Sequence, residues 1–289
     1  MARHLHIACL QTPPVPDFDA ALEVATSLAE TAAGQGAEML FLPEYCGGLR
    51  TANGRLAPPV AAEEDHPVLA GLSELAARLG VWINVGSIAI EGPGDKFLNR
   101  GYMIDDAGRI RGRYDKIHLF DVTLSEDEIY RESDSVAPGC KAIIHDTPKA
   151  RIGHTICYDL RFPELFRRLA QGGAEILVCP AAFTRLTGAA HWHVLNRARA
   201  IETTRFVVSA CAAGDIAGGG GSYGHSLIVS PWGEMLAEGG DAPGVVSAVI
   251  DLEQVRATEA RIPSLANGRD FAPAETTKTT KTIRELEEG

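Results

Sequence analysis

Three residues that are far apart in the sequence, Glu44, Lys116 and Cys157, have side chains suited to nucleophilic catalysis. A cysteine thiol becomes a strong nucleophile once a base has taken its proton, and a carboxylate such as that of Glu44 can be this base. The ammonium group of Lys116 could stabilise a thiolate or an oxyanion formed during the reaction. Together these groups could attack a carbonyl carbon and form a covalent intermediate.

Each of the three residues also has an ordinary structural interpretation. A cysteine in an apolar strand commonly packs as a small hydrophobic side chain. Glutamate and lysine side chains mostly lie at the surface, in contact with water. The choice between the two interpretations depends on whether the fold brings Glu44, Lys116 and Cys157 together.

The segment around Cys157 predicts a strand, a turn and a helix. Residues 152–156 include small and β-branched residues of the kind found in buried strands. Pro163 suits the first turn of a helix, and the apolar residues after it recur at helical spacing. The turn would place the thiol at the edge of a sheet, where a nucleophile can meet a substrate.

Glu44 and Lys116 also follow predicted strands. Residues 38–42 form an apolar strand that Pro43 ends, and Lys116 directly follows a predicted hairpin at 99–114. The carboxyl ends of strands in an α/β sheet converge on one crevice. We therefore expect the three side chains to share that crevice.

Strands and helices alternate along the chain, which predicts an α/β layered fold. We expect one domain over residues 1–271 and a polar tail over residues 272–289, either solvated or laid on a partner subunit. The segments 46–65 and 121–138 are predicted to be irregular loops, and Gly218–Gly221 a flexible loop without the context of a phosphate site. The remaining helices are predicted at 17–33, 67–79, 189–205 and 252–261, and the remaining strands at 4–10, 81–90, 142–146, 175–179, 206–211, 224–230, 234–237 and 245–250.

Composition argues against several classes of partner. The net charge of -11 repels nucleic acid and anionic lipid, and the basic residues form no dense run. No apolar run reaches the roughly 18 residues that a membrane span needs, and the first residues do not resemble a signal peptide. The six cysteines are widely spaced without a CxxC motif, which favours reduced thiols in the cytoplasm over disulfides or zinc.

Five sequence blocks resemble, in order, the signature blocks of the nitrilase superfamily, the carbon-nitrogen hydrolases: LFLPEYCG, GRYDKIHLFDV, ICYDLRFPELFR, PAAFTRLTGAAHWHVLNRARAIET and YGHSLIVSPWGE. They cover most of residues 5–271. Within this superfamily, the residues of these blocks are most similar to those of the Nit-type amidases, the branch that includes deaminated glutathione amidase and ω-amidase.

The resemblance implies a role for four residues. Glu44 matches the base of the family, Lys116 its oxyanion lysine, Cys157 its nucleophile and Glu132 its second glutamate. It also implies a four-layer α-β-β-α sandwich, of which two copies join into an eight-layer homodimer or a higher oligomer. No metal and no organic cofactor are expected.

Other residues are candidates for the pocket. We expect the backbone N–H of Tyr158 to join Lys116 in binding the oxyanion, and five side chains to contact the substrate: those of His118, Tyr158, Arg161, Phe183 and Thr184. Packing is an equal alternative for His118 and Tyr158, and an ion pair with Asp159 is the favoured interpretation of Arg161.

Three further histidines need an interpretation. His191 and His193 point to different sides of the predicted helix, so a metal shared by them is not expected. His225, near Tyr223, could help to hold the site or could simply pack.

The sequence thus predicts an amidase that converts a small linear amide to an acid and ammonia through a cysteine thioester. The branch implies a carboxylate-bearing substrate, such as a 2-oxo acid amide or deaminated glutathione. An N-carbamoyl amino acid hydrolase or a nitrilase would use the same residues, and a non-catalytic oligomeric interaction protein is the alternative from another class. The sequence does not choose the acyl group or the size of the oligomer.

Overall fold

A computed structural model describes residues 2–126 and 128–276 of the chain. Most of the predicted polar tail, from residue 277 onwards, lies outside the described residues. The described ranges contain the helices α1 (Phe18–Gly34), α2 (Pro67–Leu79), α3 (Pro163–Gln171), α4 (Arg185–Thr203) and α5 (Glu253–Arg261). None of these helices is long and apolar enough to span a membrane.

The strands belong to two large sheets and three small hairpins. In the first half of the chain they are β1 (His4–Gln11), β2 (Met39–Phe41), β3 (Thr51–Ala52), β4 (Arg55–Leu56), β5 (Trp82–Glu91), β6 (Phe97–Ile104), β7 (Ile110–Asp115), β8 (Asp121–Thr123) and β9 (Ile129–Arg131). In the second half they are β10 (Ile143–Asp146), β11 (Arg151–His154), β12 (Ile176–Val178), β13 (Phe206–Ser209), β14 (Ala213–Asp215), β15 (Gly221–Tyr223), β16 (Leu227–Val229), β17 (Met235–Glu238) and β18 (Gly244–Asp251).

Each large sheet has a parallel centre and antiparallel edges. The first sheet has the strand order β18-β1-β2-β5-β6-β7, in which β1, β2 and β5 are parallel neighbours. The second has the order β10-β11-β12-β13-β16-β17, in which β11, β12 and β13 are parallel neighbours. The crevice that receives strand ends is therefore built from two sheets rather than one.

The alternation of side chains along β1 shows how the layers form. Leu5, Ile7 and Cys9 pack between the two sheets against side chains of the second sheet such as Val208. Leu10 points the other way and packs with residues of α1 and α2. Because α3 and α4 cover the outer face of the second sheet, the structure is an α-β-β-α sandwich and the predicted fold class is confirmed.

Local capping sets the helix boundaries. Helix α1 begins after Asp17, whose side chain accepts a hydrogen bond from the backbone N–H of Ala20 at 2.9 Å. Helix α2 has the predicted bounds and ends at Gly80, which has a left-handed φ of 65°. Helix α4 starts at Arg185, four residues before the predicted start, because Thr184 is its N-cap.

Two segments predicted to be irregular contain short hairpins. Segment 46–65 includes β3 and β4, and segment 121–138 includes β8 and β9, followed by a single turn of 3-10 helix at Glu132–Asp134. Both hairpins are too short for an alternating hydrophobic pattern to be recognised in the sequence. Glu132 is only 7% exposed, so the second segment carries a buried carboxylate into the interior.

Candidate active site

The predicted catalytic residues surround one cavity of about 570 Å³. Glu44 follows β2, Lys116 follows β7, Glu132 follows β9 and Cys157 follows β11. The four side chains line the cavity together with residues of the hairpins β3–β4 and β8–β9. The structure therefore brings together the three side chains that the strand ends predicted to share a crevice, and with them Glu132, which only the resemblance had indicated.

Cys157 occupies a strained position at the start of a 3-10 turn. Its φ is 49°, in the left-handed region that residues with a side chain rarely adopt. Its backbone N–H donates to the carbonyl of Pro180 at 2.9 Å, and the N–H of Ile156 donates to the Asp159 carboxylate at 2.8 Å. These bonds fix the turn that presents the thiol to the cavity.

Asp159 anchors this turn to the strand β7 and the residues after it. Its carboxylate is fully buried and accepts hydrogen bonds from the Tyr114 hydroxyl at 2.6 Å and from the His118 backbone N–H at 3.0 Å. The ring nitrogen Nδ1 of His118 lies 2.6 Å from the same carboxylate. The predicted ion pair between Asp159 and Arg161 is wrong, because these groups already occupy the carboxylate.

Lys116 lies between two buried carboxylates. Its Nζ donates to Oε1 of Glu44 at 2.8 Å and to both carboxylate oxygens of Glu132 at 2.9 Å. The exposed fractions are 2% for Lys116 and 3% for Glu44. A buried ammonium group with two carboxylate partners is held rigidly, because breaking either contact leaves a charge unpaired.

Further hydrogen bonds position the two glutamates. Asn99 on β6 donates through Nδ2 to Glu44 at 2.9 Å and to Glu132 at 3.4 Å. The Tyr45 hydroxyl donates to Glu132 at 3.2 Å, and the backbone N–H of Ala182 donates to Oε2 of Glu44 at 3.0 Å.

The sequence reasoning missed Asn99 and this use of Tyr45. The available signal for Asn99 was a polar residue at an inward-facing position of an otherwise buried strand, since such a residue needs a polar partner. The sequence has no comparable signal for Tyr45. Its left-handed φ of 54°, which marks it as unusual, is visible only in the structure.

The electrostatics of the site favour a neutral thiol in the free protein. Burial raises the pKa of the Cys157 thiol well above its usual value, the Glu44 carboxylate raises it further, and Lys116 opposes both. For Lys116, burial lowers the pKa, but Glu132 and Glu44 outweigh it and raise the pKa well above its usual value. The ammonium group therefore stays charged, and the thiol has to be deprotonated during the reaction.

The residues predicted to bind substrate fall into two groups. Tyr158, Phe183 and Thr184 line the cavity, whereas His118 and Arg161 are absent from its lining. The His118 ring stacks on Phe162 with centroids 3.6 Å apart. The hairpins β3–β4 and β8–β9 also contribute to the wall of the cavity.

Arg161 lies behind the cavity wall. Its guanidinium group contacts Nδ1 of His191 at 3.3 Å and lies over the rings of Tyr158 and Phe183, 5.9 and 5.5 Å from their centroids. It thus supports two rings that do line the cavity.

The glycine segment 218–221 is more than the flexible loop that was predicted, because it lines the cavity and its last residue begins β15. A Cβ atom on Gly218 would lie only 1.9 Å from the carbonyl oxygen of Thr51. The close approach of this segment to β3 therefore requires glycine. Its role depends on a contact 167 residues away in sequence (218 minus 51), which a local pattern cannot reveal.

The histidines on α4 do not share a site. His191 faces Arg161, while His193 lies 2.7 Å from Glu238. His225 stacks on Tyr223 with centroids 4.4 Å apart, and neither residue lines the cavity.

Comparisons with known proteins agree with the geometry. The family model described as "Carbon-nitrogen hydrolase" matches residues 6–260. The "Deaminated glutathione amidase" of Yersinia enterocolitica is 40% identical over 209 residues, which cover 71% of this chain and 73% of the relative. The human "Omega-amidase NIT2" is 36% identical over 239 residues, which cover 83% and 86% of the two chains.

A solved structure gives the same result. The crystal structure of Saccharomyces cerevisiae Nit3, described as a member of branch 10 of the nitrilase superfamily, superposes with a TM-score of 0.79 at 28% sequence identity. The match covers 90% of this chain and 95% of Nit3. The predicted resemblance is thereby confirmed, and the chain belongs to the carbon-nitrogen hydrolase family, within the nitrilase superfamily.

Proposed function

We propose that this carbon-nitrogen hydrolase is an amidase that releases ammonia from a small linear amide through a thioester on Cys157. The observation that carries the proposal is the contact of Lys116 with both Glu44 and Glu132 in the cavity that Cys157 also lines. This arrangement offers a nucleophile, a base and a fixed cation to one bound carbonyl group.

The first half of the reaction forms the thioester. Glu44 accepts the proton of the Cys157 thiol, and the thiolate attacks the amide carbon. The ammonium group of Lys116 and the backbone N–H of Tyr158 bind the oxyanion of the tetrahedral intermediate, an interaction worth about 3 kcal/mol per donor. The C–N bond then breaks, and Glu44 returns its proton to the departing nitrogen, which leaves as ammonia.

The second half releases the acid. Glu44 takes a proton from a water molecule, and the resulting hydroxide attacks the thioester carbon. The C–S bond breaks, the acid leaves, and Cys157 regains its proton from Glu44. Glu132 is a positioning residue in both halves, because it holds the ammonium group of Lys116.

We propose a carboxylate-bearing substrate such as a 2-oxo acid amide or deaminated glutathione. The names of the relatives support this class. Two cationic side chains in the cavity lining, those of Arg55 and Arg131, are suitable partners for a carboxylate. Contact of the substrate with Arg161 or His118 stays a prediction, whereas Tyr158, Phe183 and Thr184 are already in the wall of the cavity.

The experiment is an assay of ammonia release from a panel of amides, followed by intact-mass analysis of the enzyme during turnover. We expect a thioester mass on the peptide that contains Cys157, and no ammonia release by Cys157→Ala. The matched control is Cys140→Ala, which changes an exposed cysteine outside the cavity and should keep full activity. Turnover by Cys157→Ala would refute the mechanism.

The same panel separates the alternatives. Faster turnover of N-carbamoyl amino acids or of nitriles would identify one of the other activities of the superfamily. Absence of turnover on every compound, together with unselective labelling of the cysteines by iodoacetamide, would favour a non-catalytic interaction protein.

We also propose a cytoplasmic homodimer in which residues 1–271 form a single domain. All six cysteines are free, in keeping with a reducing compartment.

Helix α4 has three exposed apolar side chains that a second copy could cover, those of Leu186, Val194 and Ile201. Light scattering on a sizing column tests the dimer, and Val194→Glu should shift it towards the monomer.

A further inference from the structure

Three side chains able to bind a metal converge at a place outside the active site. They are His193 on α4, His225 in the segment before β16 and Glu238 at the end of β17. Nε2 of His193 lies 2.7 Å, and Nδ1 of His225 lies 3.2 Å, from the same oxygen, Oε1 of Glu238. The three ligand atoms all lie within 4.8 Å of one another, and none of the three residues lines the catalytic cavity.

His225 has a strained backbone conformation that the surrounding structure holds in place. Its φ is 54°, a left-handed conformation that costs free energy for a residue with a side chain. Two hydrogen bonds impose it: the His225 N–H donates to the carbonyl of Gly240 at 2.9 Å, and Nε1 of Trp192 donates to the His225 carbonyl at 2.8 Å. The imidazole also stacks on Tyr223. Strain of this kind persists where the surrounding structure fixes the residue, and it is concentrated at functional sites.

We propose that His193, His225 and Glu238 bind one divalent transition-metal ion of the zinc type. Two imidazoles and one carboxylate are a donor set that zinc uses, with water as the fourth ligand. Ligand atoms about 2.0–2.1 Å from a tetrahedral ion lie roughly 3.3 Å apart. Two of the present separations are 2.7 and 3.2 Å and the third lies within 4.8 Å, so side-chain rotations have to bring the three ligand atoms to this spacing. Magnesium and calcium are excluded by their preference for oxygen ligands.

Access and position define what the ion would do. In the single chain the three side chains are 33%, 26% and 38% exposed, so an ion enters from solvent without unfolding, at a site beside the α4 side chains that the proposed dimer would cover. Because the ligands come from α4 and from the β16–β17 hairpin region, the ion joins the outer helix layer to the second sheet. It therefore stabilises the fold, and it has no part in the attack on the substrate.

The test is zinc binding by the full chain, measured by competition with a chromogenic chelator and by thermal unfolding with and without added Zn²⁺. We expect one ion for each chain and a higher Tm with zinc, but no rise in Tm with Mg²⁺. His193→Ala and Glu238→Gln should each weaken zinc binding by about tenfold or more. His225→Asn should do the same and keep the fold, since asparagine tolerates the left-handed backbone.

Two control variants distinguish this site from other zinc ligands. His191→Ala removes a histidine from the same helix, and Cys140→Ser removes the exposed thiol, so both should bind zinc as the wild-type chain does. Cobalt(II) should give a visible spectrum without the near-ultraviolet thiolate band. Unchanged zinc affinity in His193→Ala and Glu238→Gln, with a normal Tm in the absence of metal, would overturn the proposal. So would a loss of zinc binding in Cys140→Ser.

Discussion

The side chain of Lys116 is positioned by two carboxylates, so its geometry depends on whatever holds those carboxylates. Asn99 is the side chain that contacts both, through one amide nitrogen. Its Oδ1 is buried without a hydrogen-bond partner among the described residues. The amide therefore acts through its N–H groups, and its loss would loosen Glu44 and Glu132 together.

We predict that Asn99→Leu lowers kcat by about 10- to 100-fold, since hydrogen bonds to charged groups contribute about 1.5–3 kcal/mol. Steady-state kinetics on the best amide of the panel measure this, with thermal unfolding to confirm the fold. Tyr45→Phe, which removes one 3.2 Å bond to Glu132, is the comparison and should have the smaller effect. A wild-type kcat in Asn99→Leu would show that the amide only fills space.

A second prediction concerns the thiol. Burial is the largest cause of the raised pKa of Cys157, and the Glu44 carboxylate is the next. Glu44→Gln should therefore lower that pKa and increase the thiolate fraction at a given pH. The measurement is the pH dependence of alkylation by iodoacetamide, followed on the Cys157 peptide by mass spectrometry. The exposed Cys140 is an internal reference whose profile should not move. A midpoint that stays or rises in Glu44→Gln would contradict the electrostatic account.

Among the elements, β5 constrains the position of the base, Glu44. It passes behind the turn that carries Glu44, and its pairing with β6 is irregular between Val85 and Ile88. A Cβ atom on Gly86 would lie 2.1 Å from the carbonyl oxygen of Leu42 and 2.3 Å from that of Pro43. These are backbone atoms, which cannot rotate away as a side chain would.

Gly86→Ala is therefore predicted to destabilise the protein by about 1–3 kcal/mol, the usual cost of overpacking, and to lower kcat by displacing Glu44. Gly34→Ala is the matched control. It lies at the end of α1 with no atom within 4 Å of the added Cβ, and it should be neutral or slightly stabilising. Urea unfolding of the two variants gives the free energies. Equal stabilities would mean that β5 can shift without cost.

The elements also show what a single sequence can predict. Apolar periodicity with Pro67 at the first turn was sufficient for α2, because the signals for a helix are local. The hairpins at 51–56 and 121–131 and the role of Gly218 depend on contacts with distant segments. The four-layer arrangement and the grouping of Glu132 with Lys116 came from resemblance to a family, since neither spacing nor period encodes them.

At the scale of the whole molecule, three histidines are buried where water cannot stabilise their charged form. Burial lowers the pKa of His66 and of His145 from 6.5 to about 4. It lowers that of His154 well below 6.5, and the neighbouring His145, whose Nε2 is 3.0 Å from Nδ1 of His154, adds to the effect. The unfolded chain therefore binds more protons than the native protein between about pH 6.5 and 4.

We predict that the free energy of unfolding falls as the pH decreases through this window, by on the order of 1 kcal/mol per pH unit for each histidine. Urea unfolding at about pH 7, 6 and 5 measures the slope. His145→Gln should give a shallower slope, whereas His4→Gln, at an exposed position, should keep the slope of the wild type. A slope that does not change in His145→Gln would assign the acid sensitivity to other groups.

The left-handed backbone of Cys157 has a consequence for the stability of the whole protein. At most positions a protein with glycine is less stable than the same protein with alanine. A φ of 49° reverses this order, because glycine alone adopts it without a penalty of about 1–2 kcal/mol. Cys157→Gly should therefore unfold at a higher urea concentration than Cys157→Ala. The opposite order would mean that the turn relaxes once the thiol is removed.

If glycine is the more stable residue, the chain has kept its reactive atom at a position that folding alone would give to a residue without a side chain. Stability and reactivity then make opposite demands on position 157, and the natural cysteine marks the outcome of that trade-off.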